Sequence, residues 1–396
     1  MKKLLRLLSF AFAVLLLLGT SGCKSNINTS PTFIFGTDAW RGYYTFETHM
    51  MTESTDSYYY MAENGYIHVI DKMTMFDTIL CAKPNCLHDK RSISTEQQAR
   101  ECNGYVSPHY KQSVFYYDGF LYTVAWNTSN VAGIVPTLTQ ISLDGTNQKE
   151  IWKFDVKTTS ETEIPFRYVF HRGVLYFALN TNKENGSHFF YAYNTADKKC
   201  TLLYESKTRL MELRMVGNAI YARLSKGLED DLMRYDIASN EVSILTGATD
   251  ILDLGKKTFI YYYYHDKTTK VSAHKFTTQN FDGTEIEPYT LELSGPYKWL
   301  QTDVTYLFIT NSPGFDDDTV KVYDYQTRKL VEKIAIPENM LKDYYLMCSL
   351  DGKLFLYSRF GREEKGITLC YGEIEKIATG DFEWKPIERI EVEIDF

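Results

Sequence analysis

One theme recurs along almost the whole chain. An aromatic or β-branched strand runs into a Gly- or Asp-bearing turn, and a second apolar strand follows. The copies are Tyr58-Tyr59-Tyr60 to Gly65-Tyr66-Ile67, Val114-Phe115-Tyr116 to Gly119-Phe120-Leu121, Tyr168-Val169-Phe170 to Gly173-Val174-Leu175, and Leu213 to Gly217 and Ala219-Ile220-Tyr221. Ile251 to Gly255 and Phe259-Ile260-Tyr261, Leu300 to Asp303 and Tyr306-Leu307-Phe308, and Met347 to Gly352 and Leu354-Phe355-Leu356 complete the series. The anchors at 65, 119, 173, 217, 255, 303 and 352 are separated by 54, 54, 44, 38, 48 and 49 residues, the length of a four-stranded propeller blade. No single unit of this kind hides both of its apolar faces, so the units must stack on one another. The 31 Tyr and 23 Phe favour strand over helix.

A second hairpin follows most copies and turns on Asp or Asn: Asp144-Gly145, Asn194-Thr195, Asp236 and Asp324. These residues tolerate turn and left-handed conformations at little cost. The expected fold is all-β: a single β-propeller over residues 32–396, most simply seven-bladed, with mostly four-stranded antiparallel blades. Six or eight blades are the alternatives. Either Phe33–Met51 or Ile387–Ile394 is expected to complete a blade shared between the chain ends, which would remove exposed strand edges.

Residues 1–22 read as an export signal. Lys2, Lys3 and Arg6 precede the apolar run Leu7 to Leu18, and small residues follow. The run is short for a spanning helix. Thr20-Ser21-Gly22-Cys23 resembles a bacterial lipobox, although Thr20 stands where an aliphatic residue is usual. The resemblance implies lipidation at Cys23 and a place in the bacterial cell envelope, lipid-anchored outside the cytoplasm, with an ordinary secretory signal and Cys23 a bystander as the alternative; the small, polar residues up to Pro31 read as a tether over 23–31. Two acyl chains suffice for stable anchoring. Net charge is −8, and loss of the three signal cations takes it to −11. A basic patch on anionic lipid and general nucleic-acid binding are both disfavoured by that balance.

The most specific local motif interrupts the repeat at 81–102: Cys81-x4-Cys86-x-His88-Asp89, then Cys102. Three thiolates and one imidazole form a tetrahedral set for structural zinc with no open position for chemistry. Pro84 would sit in the knuckle, and Asp89 could orient His88 from behind. A disulfide, natural outside the cytoplasm, and a set of reduced thiols remain alternatives, because spacing does not fix redox state. Together with the Tyr-rich Gly turns, this insertion resembles the β-propeller lipoproteins of uncharacterised function from anaerobic Gram-positive bacteria.

Other residues carry weaker expectations. Cys200 reads as a small buried side chain. Cys348 and Cys370 fall on the first and third strands of the last repeat, too far apart to bridge, and are expected to be free. Asp316-Asp317-Asp318 and Glu229-Asp230-Asp231 read as solvated turns rather than calcium sites. Tyr261 to Tyr264 alternate across a strand and read as core, with a carbohydrate platform as the alternative. The five tryptophans divide between blade interfaces and rim contacts. No Gly-x-Ser-x-Gly elbow, phosphate loop or sialidase Asp-box is present, and no catalytic residue is assigned. The leading functional expectation is a surface-anchored scaffold that binds an extracellular protein, peptide or glycan. The alternatives are a glycan-processing enzyme with paired carboxylates in the channel and an envelope assembly partner marked by an apolar patch.

Overall fold

The computed structural model describes residues 51–394 apart from 63–64, 87, 89–91, 94, 107–112, 128–134, 155–166, 182–185, 227–229, 254–256, 266–271, 281–283, 285, 290, 292–296, 304, 312–317, 341–343, 359–368 and 389–392. The signal, Cys23, the tether, Asp89, Glu229, Asp316, Asp317 and all of Phe33–Met51 except Met51 lie outside the described residues.

Seven four-stranded antiparallel sheets follow one another in chain order. Blade one comprises β1 (Met51–Glu53), β2 (Ser57–Met61), β3 (Ile67–Asp71) and β4 (Asp77–Ile79). After the insertion, with β5 (Ser92–Ile93) and α1 (Glu96–Ala99), blade two comprises β6 (Phe115–Tyr117), β7 (Phe120–Asn127), β8 (Val135–Ser142) and β9 (Gln148–Lys153). Blade three has β10 (Arg167–His171), β11 (Val174–Leu179), β12 (His188–Asn194) and β13 (Lys199–Ser206). Blade four has β14 (Arg209–Val216), β15 (Ala219–Ser225), β16 (Asp230–Asp236) and β17 (Glu241–Leu245). Blade five has β18 (Ala248–Asp253), β19 (Lys257–His265), β20 (Ser272–Asn280) and β21 (Glu287–Tyr289). Blade six has β22 (Tyr297–Thr302), β23 (Tyr306–Asn311), β24 (Thr319–Asp324) and β25 (Leu330–Ala335). Blade seven has β26 (Tyr344–Leu350), β27 (Lys353–Ser358), β28 (Leu369–Glu373) and β29 (Lys385–Pro386). A last strand, β30 (Glu393–Ile394), lies beyond.

The first strands form an unbroken cycle. β1 touches β6, β6 touches β10, and so on through β14, β18 and β22 to β26, which touches β1 again. The fold is a seven-bladed β-propeller, closed as the repeat required.

Turn chemistry explains why the anchors recur. Asp118-Gly119, Arg172-Gly173 and Asp351-Gly352 join first to second strands with positive φ at both residues, the geometry whose twist matches a tight hairpin. The first anchor is out of phase. Gly65 (φ 83°) lies between β2 and β3, whereas the first turn of blade one uses Ser54, whose side chain accepts the Ser57 N–H at 3.2 Å. The outer hairpins share another device. Asp71, Asp144, Asn194, Asp236 and Asp324 each accept a backbone N–H two or three residues on, pinning the turn.

Of the two expected closures, Phe33–Met51 lies outside the described residues except for Met51, and Ile387–Ile394 adds no strand to any of the seven blades among the described residues. Among the described residues every blade is contiguous in sequence, and Lys385–Pro386 is the outer strand of blade seven. At the seam between blades seven and one, Tyr58 Oη donates to Asp351 at 3.2 Å, and Tyr58 meets Phe355 edge-on at 5.2 Å. Lys72 bridges Glu53 at 2.6 Å and Asp351 at 3.4 Å. Beyond β29 the chain runs along the outside of blade one: Asp77 N–H donates to Glu388 O at 2.9 Å, and β30 pairs in parallel with β5. This outer strap fastens the C-terminal residues to blade one and its insertion.

Burial follows blade stacking. Trp152 lies flat on Tyr193 at 4.0 Å between blades two and three, and Trp384 Nε1 donates to Ala335 O at 2.9 Å between blades seven and six. Tyr261 is buried against Phe276, while the Lys275 ammonium lies over Tyr262. Cys370 is buried and free. Cys200 departs from expectation: it lies near the start of the outermost strand β13, where no further sheet covers it, and it is exposed. Among the described residues no helix is long and apolar enough to cross a membrane.

Candidate metal centre

Cys81, Cys86, His88 and Cys102 converge. Their ligand atoms all lie within 4.8 Å of one another, and all but Cys81 are buried. His88 Nδ1 lies 3.4 Å from Cys102 Sγ, so this nitrogen is the one turned toward the sulfurs. The three cysteines are free thiols.

Local chemistry delivers each donor. Cys81 leaves the end of outer strand β4. Pro84-Asn85 then reverses the chain: proline presets φ, and Asn85 takes a left-handed φ of 54°. Lys83 Nζ braces the knuckle by donating to Glu101 O at 2.9 Å. Thr95 Oγ1 caps α1 by accepting the Gln98 N–H at 3.2 Å, and one turn on, Cys102 N–H donates to Ala99 O at 3.0 Å. Ala99 and Cys102 pack with Tyr66, Ile79, Cys86 and Tyr105 into a small cluster of their own.

The insertion is sewn to the propeller. Ile67 N–H donates to Gly104 O at 2.8 Å, and Val106 N–H donates to Gly65 O at 2.9 Å. The Tyr66 and Tyr105 rings meet edge-on at 5.1 Å. Gly104 must be glycine for this approach, since a Cβ there would lie 2.6 Å from Leu80 O. Asn103 Nδ2 reaches across to blade two and donates to Gly145 O and Thr146 O, both at 3.0 Å.

The donor set fits a tetrahedral metal. Zinc with Zn–S near 2.3 Å sets its ligands about 3.4–3.8 Å apart; the present grouping needs only a small contraction to reach that. Burial pushes the Cys86 and Cys102 thiols up, so a bound cation would displace protons held firmly in its absence. Four protein donors leave no position for a substrate.

A second polar cluster was not legible in the sequence. Asp77, wholly buried on β4, is 2.9 Å from His68 Nδ1 and accepts a hydrogen bond from Tyr60 Oη. The Tyr60 and His68 rings stack at 5.1 Å. Tyr60 and His68 are cross-strand partners, so only the β2–β3 register brings them together. On blade four, Glu212 sits at a bulge in the first strand and is held by Arg223 at 3.0 Å.

No described protein family matches the chain, and no curated protein does. Among solved structures it is similar to the tricorn protease (11% identity, TM-score 0.51), covering 86% of this chain and 34% of that one. A puromycin-hydrolyzing peptidase of Mycobacterium tuberculosis gives 11% identity and a TM-score of 0.51 over 91% of this chain and 57% of the other. An oligogalacturonate lyase of Vibrio parahaemolyticus gives 9% and 0.50, covering 87% and 89%. The chain thus spans about a third and just over half of the two hydrolases. These likenesses establish the propeller fold and nothing about chemistry.

Proposed function

We propose that this chain is a binding scaffold: a rigid propeller tethered through a lipid on Cys23 outside the cytoplasmic membrane, stapled by structural zinc at Cys81, Cys86, His88 and Cys102, and presenting loops to an extracellular protein, peptide or glycan. The observation that carries it is the convergence of Cys81, Cys86, His88 and Cys102. Its four donors complete a coordination sphere, and its contacts join blade one, blade two and the C-terminal strap, which is a fastening role. The lipobox-like Thr20-Ser21-Gly22-Cys23 supports the tether. A propeller gathers its loops on two faces of a stiff disc, suited to recognition. The alternative of a glycan-processing enzyme needs two free acids at a set separation, and Glu212, on a first strand, is engaged by Arg223 instead.

Metal analysis with thiol counting on the purified protein tests the centre: one zinc per chain, with Cys81, Cys86 and Cys102 protected until chelation. Disulfides among these cysteines without metal would refute it. Radiolabelled palmitate entering the wild type and not Cys23→Ala tests the tether. Glycan and protein arrays test the scaffold, and turnover of an arrayed glycan would instead favour the enzyme.

A further inference from the structure

A hollow of about 420 Å³ opens where blades three and four meet. Thr181 and His188 reach it from the β11–β12 turn, Lys207 and Arg209 from the link between β13 and β14, and Ser225 and Lys226 from the end of β15. Antiparallel strands alternate in direction, so second-to-third-strand turns and blade-to-blade links share one face of the ring. The hollow therefore belongs to a single loop face and is built by two blades.

Its lining is one-sided in charge. Three cations and no carboxylate line it among the described residues, in a chain whose net charge is −8. The acids nearest the lysines are not among the lining residues: Glu205 is 3.9 Å from Lys207, and Asp231 pairs with Lys226. Lys207 is 76% exposed, its contact with the exposed Glu205 is weak, and its nearer partner is the neutral Ser187 hydroxyl at 2.8 Å, so its ammonium stays available to a ligand, whereas Lys226 is held by the buried Asp231. Arg209 adds a planar guanidinium suited to two-pronged contact with an oxyanion.

His188 is 8% exposed, and its Nδ1 accepts the Thr181 N–H at 3.2 Å. The neutral ring therefore carries its proton on Nε2 and offers a donor. Burial, and secondarily Lys207, hold its pKa below the usual histidine range, which keeps the ring in that neutral state near pH 7. The hydroxyls of Thr181 and Ser225 supply further donors.

We infer that this hollow binds an oxyanion, the carboxylate or phosphate of a small ligand, between blades three and four. The size suits a group of monosaccharide dimensions. The site goes beyond the scaffold reading and depends on neither the tether nor the metal.

Calorimetry of the full chain with inorganic phosphate, glucuronate and neutral methyl glucoside tests it. At least one anion should bind ten-fold or more tightly than methyl glucoside, and affinity should fall severalfold between 50 mM and 200 mM salt, in the sense screening requires. Lys207→Gln should weaken binding severalfold with an unchanged melting temperature, since that side chain is exposed and its ion pair is long. Arg209→Gln should weaken it more than Arg209→Lys. Phosphate binding alone would assign a phosphorylated ligand, glucuronate alone a carboxylated glycan, and both the shared site. Anion affinity no greater than that of methyl glucoside, or unaffected by Lys207→Gln, would overturn the inference.

Discussion

A β-carbon added to Gly145 would lie 2.7 Å from the backbone N and Cα of Cys81, so the outer turn of blade two rests directly on the first cysteine of the metal centre. Gly145 also holds a left-handed φ of 67°. Gly145→Ala combines backbone strain with a clash against main chain that cannot swing away. Gly119→Ala isolates strain alone, because Gly119 has φ 78° and open space around its missing Cβ. We expect about 1 kcal/mol lost at Gly119 and about 2–4 kcal/mol at Gly145, with metal loss only in the latter. Denaturant titration with metal analysis compares the two; equal losses would refute the contact.

Removing zinc from the proposed centre should loosen the flank of blade one without dissolving the ring. Chelation, or Cys102→Ser, is expected to lower the melting temperature by several degrees. Amide exchange should rise at Gly104–Val106 and β5, while β14 and β15 stay protected. Uniform exchange across all blades would contradict a local staple.

Asp77→Ala removes the acceptor shared by His68 and Tyr60 in a wholly buried place. Breaking such a cluster from one side costs about 3 kcal/mol or more. Asp77→Asn keeps the size and one acceptor and should cost less. Urea unfolding measures both, and equal, small losses would show that the cluster contributes little.

Asp144 gives an acid-side signature. Hydrogen bonds from Ser142 and from the Thr146 amide and hydroxyl hold its carboxyl down to about 2. Its folded pKa lies below the unfolded value of about 3.9, so the stability it adds is complete above that value and fades as pH falls toward 2. Carbon-13 titration of Asp144 should give a midpoint near 2, and a midpoint near 4 would refute the turn contacts. Asp144→Asn, which keeps an acceptor, should flatten the acid limb of the stability curve.

The remaining described thiols should separate by access. Cys200 is exposed, whereas burial pushes the Cys370 thiol to about 12 and seats its sulfur 3.5 Å from Met340 Sδ. Native alkylation at pH 8 followed by peptide mass spectrometry should modify Cys200 well before Cys370. The reverse order would contradict the placement of both.

The ring was legible because its signal is local. Turns such as Asp118-Gly119 and Asp351-Gly352 demand positive φ and announce themselves in two letters. Cys81, Cys86, His88 and Cys102 were legible for the same reason: a knuckle and a short helix suffice to gather them. What depends on register or path was not. The phase of Gly65, the pairing of Tyr60 with His68, and the C-terminal strap follow from how strands slide and where the last residues run. Cys200 misled because a thiol's usual preference for the interior says nothing about whether its strand ends a sheet.

Since each described blade is built from consecutive residues, pulling from the C-terminal side would first part β30 from β5 and leave the blades themselves whole. Load entering at Met51 meets a wedge buttoned on one side through Tyr58 and Asp351 and on the other through Asn103 and Gly145. The disc would yield by parting along a flank and peeling whole wedges in order, rather than by unravelling strand from strand.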